Sequence, residues 1–136
     1  MSKSSRCFDL TVLRDSFAMV RLPADAPLPP WVTHGDFFSI TRTSDELSIV
    51  CRADQVPNGI AAEAGWRALK VAGPFALSEI GVLSALAAPL AGAKVSLFAI
   101  STFDTDYLLV SEQQLPAAVA ALKSAGHRVQ GIGAAS

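Results

Sequence analysis

Residues 79–110 read EIGVLSALAAPLAGAKVSLFAISTFDTDYLLV. Ile80, Leu83, Leu86, Ala87 and Leu90 recur at spacings of three and four, which predicts one apolar face of a helix. Ser78 stands where an N-cap is expected, and Glu79 sits favourably against the positive end of the helix dipole. Pro89 falls in the last turn and Gly92 just beyond it, a plausible stop. Lys94–Ser101 (KVSLFAIS) then reads as a buried strand and Tyr107–Val110 as another. The polar stretch Thr102–Asp106 joins them as a hairpin.

The pattern continues on both sides. Upstream, Trp66–Ala72 alternates as a strand and is closed by the turn pair Gly73–Pro74. Downstream, Ser111 and Gln114 have the spacing of a capping box. The helix it opens carries Leu115, Val119 and Leu122 on one face and ends at Gly126, and His127–Ile132 makes a last short strand. The order strand, helix, strand, strand, helix, strand is the split βαβ arrangement. The expected fold class is therefore α+β, ferredoxin-like (βαββαβ), with an antiparallel sheet.

The N-terminal part reads as a degraded version of the same plan. Phe8–Leu13 and Phe17–Leu22 are two expected strands, and the proline-rich connection Pro23–Pro30 leads to a helix-like piece near Trp31. Phe37–Arg42 and Glu46–Cys51 form a hairpin closed by Val56–Pro57, and Asn58–Ala64 is the expected linker. A shift of 60 positions lays Ile40 on Ile100, Glu46 on Asp106 and Val50 on Val110; one deletion later, Gln55-Val-Pro57 falls on Gln114-Leu-Pro116. The expected organisation is two tandem halves, a degenerate 1–60 and a complete 61–136.

Composition excludes several classes. The chain is 51% hydrophobic and 17% charged, with a formal net charge of −1. Without a basic stripe to displace counterions, nucleic acid is not expected as a partner. The surplus of apolar residues predicts exposed apolar surface and a homodimer. The basic start is followed at once by Asp9, so no signal peptide is expected. The apolar run Ile80–Ala93 is too short for a membrane span. Cys7 and Cys51 lack metal-type spacing and read as free thiols of a reduced, cytoplasmic compartment.

No catalytic constellation emerges. His34 and His127 have no second ligand at metal spacing and read as structural. There is no nucleophile elbow and no phosphate-cradling loop, and Gly131-Ile-Gly133 lacks a strand-to-helix context. No enzyme activity, cofactor or metal is expected. Asp104 suits the hairpin turn, whereas Asp106, at the head of an apolar strand, is harder to explain by local structure alone. An acid–base pair of Asp104 and Asp106 is a weaker reading, because nothing orients or tunes them. Gly81, at a helix start, offers close approach to backbone amides that suit a carboxylate. Placed on one sheet edge, Gly81 and Asp106 would meet an anion and a cation, the charge layout of a free amino acid.

At these residues the sequence resembles the ACT domain family, and more narrowly the small bacterial tandem-ACT proteins related to the cytosolic arginine sensors. The carrying segments are Glu79–Val110 and Asp45–Pro57, with Gly-apolar-apolar, Ala-Pro-Leu and Ser-Thr-Phe-x-Thr-Asp-Tyr as the specific pattern. The resemblance implies two ACT-like halves paired side by side and an amino acid bound between units. It implies ligand-binding roles for Glu79, Ile80, Gly81, Val82, Phe98, Ser101, Thr102, Asp104 and Asp106, with Asp106 meeting a cationic side chain. The N-terminal half departs from the pattern by lacking a glycine loop and a full first helix. The expected function is a regulatory module acting through ligand-linked assembly or contacts with a partner protein. The alternative is an interaction domain with no ligand.

Overall fold

A computed structural model describes residues 6–131. It contains seven strands, β1 (Asp9–Leu22), β2 (Ser39–Arg42), β3 (Leu47–Arg52), β4 (Glu63–Val71), β5 (Phe98–Ser101), β6 (Asp106–Ser111) and β7 (Arg128–Gly131), and two helices, α1 (Val82–Gly92) and α2 (Leu115–Ser124). The fold is α+β. Neither helix is long and apolar enough to cross a membrane. Ile132, the expected end of the last strand, and Gly133 lie outside the described residues.

Two compact units divide the chain: a smaller one, Asp15–Trp66, and a larger one made of the chain up to Arg14 and again from Arg67. The segments expected as two strands, Phe8–Leu13 and Phe17–Leu22, form the single strand β1. Arg14 and Asp15 look like a turn in sequence, but they stay extended with both side chains exposed.

In the larger unit the strands run β7-β1-β4-β6-β5. From β4 onward the order is strand, helix, strand, strand, helix, strand. The final strand, however, pairs in parallel with Asp9–Val12 of β1. The sheet therefore carries one strand more than a bare ferredoxin-like unit. Leu10, Val12, Leu69, Val71, Leu108 and Val110 from the strands pack with Leu86, Leu90 and Leu122 from the helices. Each fully buried leucine of this kind contributes roughly 1.5–3 kcal/mol by leaving water.

Ser111 caps as its spacing predicts, its Oγ accepting from the Gln114 amide at 3.3 Å. A 3-10 turn, Glu112–Gln114, intervenes before α2. Gln114 does not close the reciprocal half of a capping box. Its side chain bridges to the segment before β5, accepting from the Ser96 amide at 3.4 Å and donating to the Lys94 carbonyl at 3.3 Å. His127 is buried, and its Nδ1 accepts from the Phe8 amide at 3.1 Å while its ring stacks on Phe8.

In the smaller unit β3 lies between β2 and β1, both antiparallel to it. The piece near Trp31 is a single 3-10 turn, Pro30–Thr33. In place of a helix's own hydrogen bonds, Arg42 donates to the carbonyls of Ala24 and Ala26 and ties the proline-rich connection to β2. Val20, Val32, Leu47, Ile49 and Cys51 form the core.

The ladders also set the register of the internal repeat. Ser39 pairs with Val50 and Phe98 with Leu109; Ile40 pairs with Ile49 and Ala99 with Leu108. These equivalences are offset by 59 positions, not the 60 expected for the hairpins. Glu46 therefore corresponds to Thr105, and Asp106 corresponds to Leu47, which is 1% exposed. A slip of one residue exchanges the faces of a strand. The carboxylate of the larger unit has no counterpart at this position in the smaller one.

Candidate functional site

A cleft of about 620 Å³ opens in the larger unit between the segment leading into α1 and the β5–β6 turn. Gly81 shapes the first wall. Its φ of 86° lies in the left-handed region that side chains with a Cβ avoid, so the helix cannot run back through it. The helix accordingly starts at Val82 and not after Ser78. Glu79 instead donates its amide to the Ala76 carbonyl in a turn, and Ile80 is left 85% exposed, off the apolar face on which its spacing placed it. A Cβ on Gly81 would meet only Ser84 Oγ, at 3.9 Å, so backbone conformation explains this glycine and crowding does not. The Gly81 carbonyl accepts from the Ala85 amide at 3.0 Å and from Ser84 Oγ at 3.2 Å. The opening amides of α1, which have no partner within a helix, border the cleft.

The second wall is the turn between β5 and β6. The Thr102 amide donates to the Thr105 carbonyl at 2.8 Å, and the Thr105 amide returns a bond to Thr102 Oγ1 at 3.2 Å. Thr105 is buried and its Oγ1 donates to the Val71 carbonyl at 2.6 Å, which fastens the turn to β4. The two walls also meet directly, because the Phe75 amide donates to the Asp104 carbonyl at 2.8 Å. Gly73 makes that approach possible: a Cβ there would stand 2.9 Å from the same carbonyl oxygen.

The charged groups are arranged unequally. Arg6 pairs with Glu79 at 2.7 Å, donates to the Ile80 carbonyl at 3.1 Å, and lies over the Phe8 ring. Glu79 thus already has a cation. Asp106 accepts from Ser101 Oγ at 2.6 Å through Oδ1, and neither it nor Asp104 is ion-paired among the described residues. Chemically, the lining combines the first residues of α1, a carboxylate without an ion pair at Asp106, and the apolar side chains of Phe75, Leu77, Leu83 and Phe103.

Of the residues singled out in the sequence, Glu79, Gly81, Val82, Ser101, Thr102, Asp104 and Asp106 line this cleft, and Ile80 and Phe98 do not. Phe75, Leu77, Ser84, Phe103 and Thr105 also line it and were not foreseen. Phe103 carried a signal: it is an aromatic residue in an otherwise polar turn, and it is 76% exposed.

With this fold and site in view, the protein contains an ACT domain: an ACT domain model matches residues 61–124, and a model of an N-terminal domain matches 15–59. The chain is related to the cytosolic arginine sensors. It is 29% identical over 108 residues to the human cytosolic arginine sensor for mTORC1 subunit 1, covering 74% of this chain and 32% of that one. The chain spans at most 60% of the length of the curated relatives described by the strongest matches. Protein Atu0741 from Agobacterium tumefaciens superposes with a TM-score of 0.88 at 38% identity, over 94% of this chain and 96% of that one. The aspartate kinase of Clostridium acetobutylicum shares the fold at a TM-score of 0.66 and 11% identity, over 93% of this chain and 36% of that one.

Proposed function

We propose that this protein is a cytoplasmic, non-enzymatic regulatory module that binds a free amino acid in the cleft between Gly81 and Asp106. The observation that carries the reading is the unpaired Asp106 carboxylate facing a cleft whose other end is the start of α1. A ligand carboxylate suits the helix amides, and a ligand cation suits Asp106 through a charge-assisted hydrogen bond. The relation to proteins named as arginine sensors supports an amino acid as the ligand class. The division into an ACT-like half at 1–60 and an ACT half at 61–136 is part of the proposal; the change from one family model to the other between residues 59 and 61 supports its boundary.

The test is thermal stability of the full chain against each of the twenty amino acids at millimolar concentration. A ligand specific to the folded state adds roughly 2.7 kcal/mol at a hundred times its Kd. We expect a rise with one or a few amino acids that is lost in Asp106→Ala. A flat panel with folded protein refutes the proposal.

A second reading, an interaction domain without ligand, is favoured by one observation. Leu77, Ile80 and Phe103 are 72%, 85% and 76% exposed around the cleft. Side chains of this size exposed together suit a contact with another chain, and we propose a homodimer. Sedimentation of the purified chain as a monomer at all concentrations would refute that part.

A further inference from the structure

We propose a second ligand site in the larger unit, for a small organic anion with an apolar body. It rests on a separate cleft of about 510 Å³, whose walls include Val12, Arg67, Leu115, Val119, Lys123 and Val129. Its defining group is Arg67. The guanidinium makes one hydrogen bond among the described residues, from Nη2 to the Leu13 carbonyl at 2.8 Å. Its Nε is buried and has no partner. None of the ion pairs among the described residues involves Arg67 or Lys123. Glu112 also borders the cleft but is ion-paired with neither, so the lining holds two cations and one acid.

A guanidinium N–H that gives up water without gaining a partner is unfavourable unless something supplies the missing acceptor, and the Glu112 carboxylate does not pair with Arg67. An anion can do so, and Arg offers a planar fork suited to carboxylate or phosphate oxygens. Most of the remaining wall is aliphatic, with Val12, Leu115, Pro116, Val119 and Val129 contributing no hydrogen-bonding side chains, and Gln130 adds one neutral polar group. The shared chemistry is an anionic head group on a short hydrocarbon body. The competing role for Arg67 is to hold β4 to β1 through Leu13 alone, which accounts for one of its five N–H groups. This proposal does not depend on the reading of the Gly81–Asp106 cleft.

The experiment is a titration of the full chain followed by methyl NMR at Val12, Val119 and Val129. The probes are hexanoate, hexyl phosphate, acetate and hexanol. We expect saturable shifts with hexanoate or hexyl phosphate, the stronger one naming the head group, and at least tenfold weaker binding of acetate and hexanol. Arg67→Met should weaken the preferred anion at least tenfold, and Lys123→Gln, an exposed change that spares the fold, should weaken it severalfold. Hexanol binding as well as the anions overturns the proposal. So does unchanged affinity in a folded Arg67→Met or, if that variant does not fold, in Lys123→Gln. Shifts confined to the methyls of Val82 and Leu83, which line the other cleft, also overturn it and assign the probe there.

Discussion

Ser101 Oγ donates to Asp106 Oδ1 at 2.6 Å across the mouth of the β5–β6 hairpin, where the two residues are ladder partners. The bond fixes one oxygen of the carboxylate, and the residue lines the cleft. Ser101 therefore orients Asp106, while Asp106 supplies the charge. If the amino-acid site is as proposed, Asp106→Ala abolishes ligand-induced thermal stabilisation. Ser101→Ala should weaken it by about tenfold, the worth of one hydrogen bond of roughly 1.4 kcal/mol to a charged group. Equal losses in the two variants would show that the hydroxyl contacts the ligand itself.

Leu47 and Asp106 occupy equivalent ladder positions in two different environments. Leu47 is buried in the smaller unit's core, and Asp106 is half-buried at a cleft. Leu47→Asp would place an uncompensated carboxylate among Val20, Val32 and Ile49, costing about 3 kcal/mol or more. Asp106→Leu removes one hydrogen bond from a partly solvated place and should cost about 1 kcal/mol. Urea unfolding of both variants checks this. Comparable costs would mean that the 59-residue equivalence does not describe the environments.

That equivalence also shows what was legible in the sequence. The hairpins, both helices and the succession of elements from β4 onward follow from alternation, spacing and turn residues, which act locally; the insertion of β1 beside β7 does not, because it joins segments distant in sequence. The register of the repeat does not, because Ile49 has a buried leucine as its equivalent whether it is matched to Leu108 or to Leu109. The deciding clue was polar. Thr43 Oγ1 accepts from the Glu46 amide as Thr102 Oγ1 accepts from that of Thr105, so the two threonine turns align at 59, as do the two Gln-apolar-Pro segments. The helix start was obscured by Ser78, a good cap by type, because only backbone conformation reveals that Gly81 turns left-handed. The Arg6–Glu79 pair joins residues too far apart in sequence for any spacing rule to connect.

Thr105 offers a stability test inside the candidate site. Its hydroxyl donates to the Val71 carbonyl from a buried position. Thr105→Val keeps the shape but leaves that carbonyl without this donor, and should cost about 1–2 kcal/mol. Denaturant unfolding measures it. A change below about 0.3 kcal/mol would mean that another donor replaces the hydroxyl.

Asp9 and Arg128 form a fork-like pair linking β1 to β7, with both side chains well exposed. The Arg128 hydrogen bonds hold the Asp9 carboxyl below its ordinary value of 3.8. A carboxylate whose folded pKa is depressed contributes stability above its unfolded pKa, and loses it as pH falls through the folded value. The melting difference between wild type and Asp9→Asn should be present at pH 6, shrink below about pH 4 and disappear in stronger acid. It should also shrink in high salt, since the pair is open to screening. A difference that persists in strong acid would assign the effect of Asp9 to packing instead of charge.

The two cysteines should differ sharply in reactivity. Cys7 is exposed, whereas Cys51 is buried in the smaller unit's core. Burial pushes the Cys51 thiol up, and the nearby Asp54 carboxylate pushes in the same direction. The thiolate is the reactive form, so both effects protect it. A chromogenic disulfide reagent at pH 8 should therefore titrate one thiol per chain quickly, and Cys7→Ser should remove that phase. The second thiol should react only as fast as the smaller unit opens, accelerating with sub-denaturing urea. Two fast thiols in native buffer would mean that β3 is not shielded as its burial requires.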